Sequence, residues 1–158
     1  MSAPVRKSPA TRPGSCYRDD LYSWSREQAA LLRAGRLSEI DASNIAEELD
    51  DVGSEQYDKL QSALTVLLVH LLKWDMQPKL RSRSWVNSIR EQRRRVERQL
   101  RKNPGLKSRL SEAMEEAYED ARDRASSETN LDLESFSRTN PYAFEEIMNR
   151  PFVWPLTT

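Results

Sequence analysis

The chain has 158 residues, the size of one ordinary domain, and 25 basic residues balance 25 acidic ones, so no global field draws it to polyanions or membranes. A single cysteine, Cys16, excludes an intrachain disulfide scaffold and a zinc knuckle, and points to a reducing cytoplasm. Only four glycines, with the eight prolines at the ends or between segments of helical period, exclude a turn-rich β fold.

Residues 1–16 carry Arg6, Lys7 and Arg12, but Pro4, Pro9 and Pro13 block the amphipathic helix of a transit peptide, so a flexible arm is expected there. Residues 17–158 are expected to form a single helical domain. Asp19 or Asp20 can cap a first helix whose Leu21, Trp24, Gln28, Leu31 and Leu32 form a stripe that should pack on something, with a left-handed stop at Gly35. Asp41 starts a second pattern through Ile45, Leu49 and Val52. Gly53 either kinks it or divides it, because an interior glycine costs a helix only about 1 kcal/mol. From about residue 54 to 75, Leu64, Leu67, Leu68, Val69, Leu71 and Leu72 point nearly all round, which predicts the central helix of a bundle. The apolar run within it is far shorter than the roughly 20 residues of a membrane span, and no membrane segment is expected.

Pro78 ends that segment. The next helix, about Ser84 to Lys102, has Trp85, Ile89, Val96 and Leu100 as a narrow stripe among arginines. After the break at Asn103-Pro104-Gly105, Leu106, Leu110, Met114 and Tyr118 run beside Ala113, Ala117, Ala121 and Ala125, small residues that let helix axes approach. Asn130 is placed to end this helix, and residues 131–139 read as a loop carrying Phe136. Asn140 before Pro141 predicts the N-cap of a short helix to about Met148, and Phe152 and Trp154 should anchor the tail. The fold class expected is all-α: a compact bundle of about five to six helices with irregular ends.

His70 is the one histidine, which excludes HExxH zinc sites and di-iron bundles built on Glu-x-x-His pairs. A site joining His70 to carboxylates among Glu47, Glu48, Asp51 and Glu55 is weighed and set below a hydrogen-bonded His70 beside Trp74. Cys16 has no positioned base, and neither GxGxxG nor GxxxxGK[ST] occurs. No catalytic residue, metal site or cofactor is therefore nominated.

Charge is segregated along the chain. Residues 79–109 hold twelve bases against Glu91 and Glu97, while residues 39–58 hold eight acids and no base, and residues 112–134 nine acids against Arg122 and Arg124. Acidic helices lying beside the basic one would neutralise it, and that reading is preferred. Otherwise Arg90, Arg94, Arg98 and Arg101, opposite the apolar stripe, would form a phosphate-binding face for nucleic acid.

The ordered matches Asp20-Leu21-Tyr22-Ser23-Trp24, Asn44-Ile45-Ala46-Glu47-Glu48 and, above all, Val66 to Trp74 with Gln77-Pro78 carry a resemblance. Arg81-Ser82-Arg83-Ser84-Trp85, Asn103-Pro104, Glu128-Thr129 and Pro141-Tyr142 continue it. On these residues the chain resembles the bacterial domain of unknown function 29 family over roughly Tyr17 to Pro155. The resemblance implies an all-helical fold, and it transfers no activity. Where the family often has glycine after the Glu-Thr pair, this chain has Asn130, which also tolerates a left-handed cap. The leading functional expectation is a noncatalytic, cytoplasmic protein-interaction module that binds a protein partner or a second copy. Nucleic-acid binding through the arginine-rich helix is the alternative.

Overall fold

A computed structural model describes residues 14–154; residues 1–13 of the expected arm and the last four residues lie outside this range. The described residues form five α-helices and four short 3-10 turns, with no strand. The fold is all-α, as the glycine and proline pattern requires.

Each helix begins or ends where side-chain chemistry dictates. Helix α1, Leu21–Arg33, starts on Asp20, whose carboxylate accepts the Ser23 N–H at 2.9 Å, and the chain leaves it through Gly35 at φ 70. Helix α2, Ala42–Met76, starts on Asp41, which accepts from the Asn44 backbone at 3.3 Å and from its side chain at 2.7 Å. It then runs unbroken through Gly53, so that glycine does not divide it. Helix α3, Arg83–Lys102, is capped by Ser82, whose hydroxyl accepts the Trp85 N–H at 3.3 Å. A 3-10 turn, Pro104–Arg109, leads into α4, Leu110–Thr129, which ends on Asn130 in the left-handed region at φ 57.

The last helix, α5, is shorter than the proline position predicts. It spans Phe144–Asn149 with Ala143 at its N-cap. Asn140 instead folds back on a local turn, accepting the Tyr142 N–H at 2.9 Å. An Asn-Pro pair favours both arrangements, and here the turn prevails.

The chain divides into two compact units, one ending at Val52 and the other beginning at Gly53. In the second unit, Leu60, Leu64, Leu67, Leu68 and Leu71 of α2 are fully enclosed, together with Ile89 and Val96 of α3 and Ile147 of α5. Ala113, Ala117, Ala121 and Ala125 of α4 are enclosed as well, which is the close approach that small residues permit. The apolar core lies wholly in this unit. Phe136 is buried, and Phe152 meets Trp74 edge-on at 5.1 Å between centroids, so the loop and the tail add to the core. Trp154 remains partly exposed.

The first unit is built differently. Trp24 is its one buried side chain among the described residues, and the expected stripe on α1 is covered only in its middle: Gln28 and Leu31 are half-buried, while Leu21 and Leu32 are exposed. Polar contacts gather around Trp24 instead. Its indole N–H donates to Asp41 at 3.3 Å, Tyr17 stacks edge-on against it at 4.8 Å, and Gln28 accepts the Asp41 N–H at 2.7 Å. Tyr17 also donates its hydroxyl to Glu48 at 2.8 Å, which with burial pushes that phenol up to about 12. Ser15 donates from its backbone and its hydroxyl to Glu27, both at 2.9 Å, tying the first described residues to α1.

Candidate functional site

With 3.6 residues per turn, α3 sorts its arginines by direction. Arg90, Arg94, Arg98 and Arg101 are all exposed, and none forms an ion pair among the described residues. Arg93 does not join them. It lies on the wheel between Leu100 and Val86, turns inward, and donates to the carbonyls of Ile147 at 2.8 Å and Arg150 at 2.7 Å. Burial pushes its pKa down, and its guanidinium stands 5.2 Å from the Phe152 ring. Arg93 thus satisfies the carbonyls at the end of α5, a role that its place on the apolar stripe signals in the sequence.

Other bases of the stretch are also used locally. Arg81 donates to the Trp74 carbonyl at 2.9 Å and stacks 4.7 Å from the Trp74 ring, as a planar guanidinium can. Arg95 pairs with Glu91 at 2.6 Å on its own helix, and Arg109 pairs with Glu112 at 2.9 Å. Arg109 also lies over the Tyr57 ring, whose hydroxyl donates to Glu116 at 2.7 Å; burial and that carboxylate push Tyr57 up to about 12.

Among the described residues the expected cancellation of the basic helix by acidic ones does not take the form of direct ion pairs. No ion pair joins α3 to another helix, and only Lys73–Glu128 and Arg150–Asp75 link residues distant in sequence. The remaining pairs are three or four residues apart.

Arg150 belongs to a second polar cluster at the end of α2. It clamps Asp75 with two hydrogen bonds, at 2.6 and 3.0 Å, while Tyr142 donates to the same carboxylate at 2.7 Å. Burial alone would raise Asp75, but these donors hold it below the usual carboxylate range. Burial and Asp75 together push the Tyr142 phenol up. The cluster fastens the C-terminal segment to the end of α2.

The carboxylates weighed with His70 are engaged elsewhere or exposed. Glu48 holds Tyr17, Glu55 pairs with Lys59, and Glu47 and Asp51 face solvent. The His70 Nδ1 donates to the Val66 carbonyl at 2.8 Å, and no group of three or more potential metal ligands gathers among the described residues. Trp74, one turn on, is buried beside Phe152. Cys16 is a free, exposed thiol. No helix among the described residues is long and apolar enough to cross a membrane.

A further feature lies along α3. A groove of about 530 Å³ runs between α2 and α3, with Ala63 and Val66 on its floor, and Gln92, only 8 % exposed, lining it. Neither end of the Gln92 amide has a hydrogen-bond partner among the described residues. Gln92 stands three residues after Ile89 and four before Val96, a helical spacing that places it beside the apolar stripe.

Comparison with curated proteins and with solved structures returned no significant match. A family model does match, over residues 16–153, which is nearly the whole chain. The span takes in Trp24, all five helices and the α3 arginines, and the chain belongs to the family described as domain of unknown function DUF29.

Proposed function

We propose that this chain is a noncatalytic helical interaction module of the bacterial cytoplasm, working with a protein partner or a second copy of itself. The observation that carries this reading is apolar surface without cover in the first unit. Leu49 and Val52, one helical turn apart, are 65 % and 54 % exposed, and Leu21, Leu32 and Leu37 are exposed as well. Scattered apolar residues on a surface are ordinary, but a stripe on one helix face, with Ile45 half-buried one turn before it, is the pattern of a helix awaiting a partner. Sedimentation velocity across a hundredfold concentration range, with affinity capture from lysate, tests it. Self-association or a captured partner that is lost in the Leu49→Ser, Val52→Ser double variant is expected. A concentration-independent monomer that captures nothing would remove the proposal.

A second reading rests on a separate observation, the four exposed, unpaired arginines of α3. Arg90, Arg94, Arg98 and Arg101 could contact the phosphates of a nucleic acid, each contact releasing counterions. Binding to mixed RNA and DNA fragments, followed by fluorescence anisotropy, should then fall steeply between about 50 and about 200 mM salt. Replacing the four by glutamine should abolish it. Salt-insensitive binding, or none at the lower salt, rejects this reading.

A further inference from the structure

The short helix α5 is only partly covered. Its Ile147 is enclosed, while Phe144 and Met148, four residues apart and so on one face, are partly buried against the core. Between this helix, the last turn of α3 and the 3-10 turn that follows lies a cleft of about 490 Å³, whose apolar lining is completed by Leu100 and Pro104. The charged residues that line it, Arg101, Lys107 and Glu97, are all exposed, and none forms an ion pair among the described residues. Residues 98–109 hold five bases and no acid, so the cleft is apolar in its lining and basic in its setting.

The same chain carries the complement of that cleft. Ile45, Leu49 and Val52 recur at helical spacing on α2, the first half-buried and the other two exposed. The segment around them, residues 39–58, holds eight acids and no base. Asp50, next to Leu49, is exposed and forms no ion pair among the described residues. An apolar stripe on an acidic helix matches a cleft that is apolar within and basic around it, the helix-in-groove mode of recognition with complementary charge. A nucleic acid matches half of it: phosphates suit Arg101 and Lys107 but offer nothing to Leu100, Pro104 and Met148.

Resting on the interaction-module reading, we propose that the partner is a second copy of this chain, and that the Leu49 and Val52 stripe of one copy docks in the α3–α5 cleft of the other. Leu49 and Val52 meet Leu100, Phe144 and Met148, and the acids of the α2 segment face Arg101 and Lys107. Each copy carries both halves of the contact, so residue i of one meets residue j of the next.

Mixing two broken variants, followed by sedimentation velocity, tests this. Leu49→Ser with Val52→Ser removes the stripe, and Arg101→Glu with Lys107→Glu reverses two exposed charges of the cleft without touching the core. Each double variant alone should associate at least tenfold more weakly than wild type, with a thermal melt close to it. Their equimolar mixture should recover a two-chain species, because each keeps the half that the other lacks. Met148→Gln, close in volume and polar, should behave as the charge-reversed variant does. Cleft variants that associate as wild type does, a mixture that recovers nothing, or a wild-type chain that is monomeric at every concentration overturns the proposal. If a different protein is still captured through Leu49 and Val52 in that case, the interaction-module reading stands and only the assignment of the cleft to a second copy falls.

Discussion

The two units of this chain are held together by different physics. From Gly53 onward, α2, α3, α4 and α5 contribute fully enclosed side chains to one apolar core. Up to Val52, Trp24 is the single buried side chain among the described residues; it donates to Asp41, which in turn donates its N–H to Gln28, and Tyr17 packs edge-on against it. Apolar burial contributes roughly 25 cal/mol per Å², while a net hydrogen bond contributes about 1 kcal/mol, so the second unit has the greater reserve. The first should open locally at lower free energy than the global transition.

The contrast breaks most visibly in the core. Leu67, fully enclosed in α2, contacts the centre of the second unit, and Leu67→Ala should lose about 2–5 kcal/mol, the range for a leucine cavity that only partly collapses. Urea unfolding followed by circular dichroism measures it. A loss below about 1 kcal/mol would mean that the core is not where the stability resides.

Trp24→Ala is the matching experiment in the first unit. Truncating a buried tryptophan costs about 3–5 kcal/mol, which should exceed what holds α1 in place. Amide exchange should then show α1 losing its protection, while the amides in the middle of α3 and α4 keep theirs. Loss of protection in all helices together would show that the two units unfold as one.

The helix pattern was legible because it depends on local chemistry. Asp20, Asp41 and Ser82 cap helices as such residues should, and Asn130 takes the left-handed position that glycine often fills. What was not legible is which apolar faces are covered. Leu49 and Val52 follow the same period as Leu60 and Leu64, yet the first pair is exposed and the second enclosed. Periodicity identifies a face; only the packing of other elements decides whether something lies on it. The arginines repeat the lesson. Composition marks residues 79–109 as one basic block, but Arg81 and Arg93 spend their donors on backbone carbonyls while Arg90, Arg94, Arg98 and Arg101 keep theirs for solvent. Arg93 could have been separated by its position on the apolar stripe. Gln92, seven residues after Trp85 and between Ile89 and Val96, could have been placed beside that stripe by the same spacing.

A smaller effect is expected at the boundary itself. Gly53 lies inside α2, and a Cβ placed there meets nothing within 4 Å. Gly53→Ala should stabilise the chain by roughly 0.5–1 kcal/mol, because alanine gives up less backbone entropy on entering a helix. Denaturation midpoints of the variant and the parent check the sign. A loss instead would show that the glycine serves a bent or locally unwound α2.

The smallest effect separates the units by pH. His70 is half-buried in the second unit, and burial, aided by Lys73 and Arg124 against the opposing Val66 carbonyl and Glu128, sets its pKa below the ordinary 6.5. Between that lowered value and 6.5 the native chain holds fewer protons on this group than the unfolded chain, so its contribution to stability rises with pH. It is fully present above the unfolded value and is lost as pH falls through the folded one. In the first unit, Asp20 and Asp41 are held below the usual range by hydrogen bonds from Ser23 and Asn44, and both stay ionised at about pH 5.5. Lowering the pH from about 7.5 to about 5.5 should therefore shift the urea midpoint of the second unit downward, and His70→Gln should flatten that slope. Local exchange of the α1 amides, corrected for the intrinsic rate, should not change over the same interval. A pH effect confined to α1 would reverse the assignment and place the sensitive group among the polar contacts around Trp24.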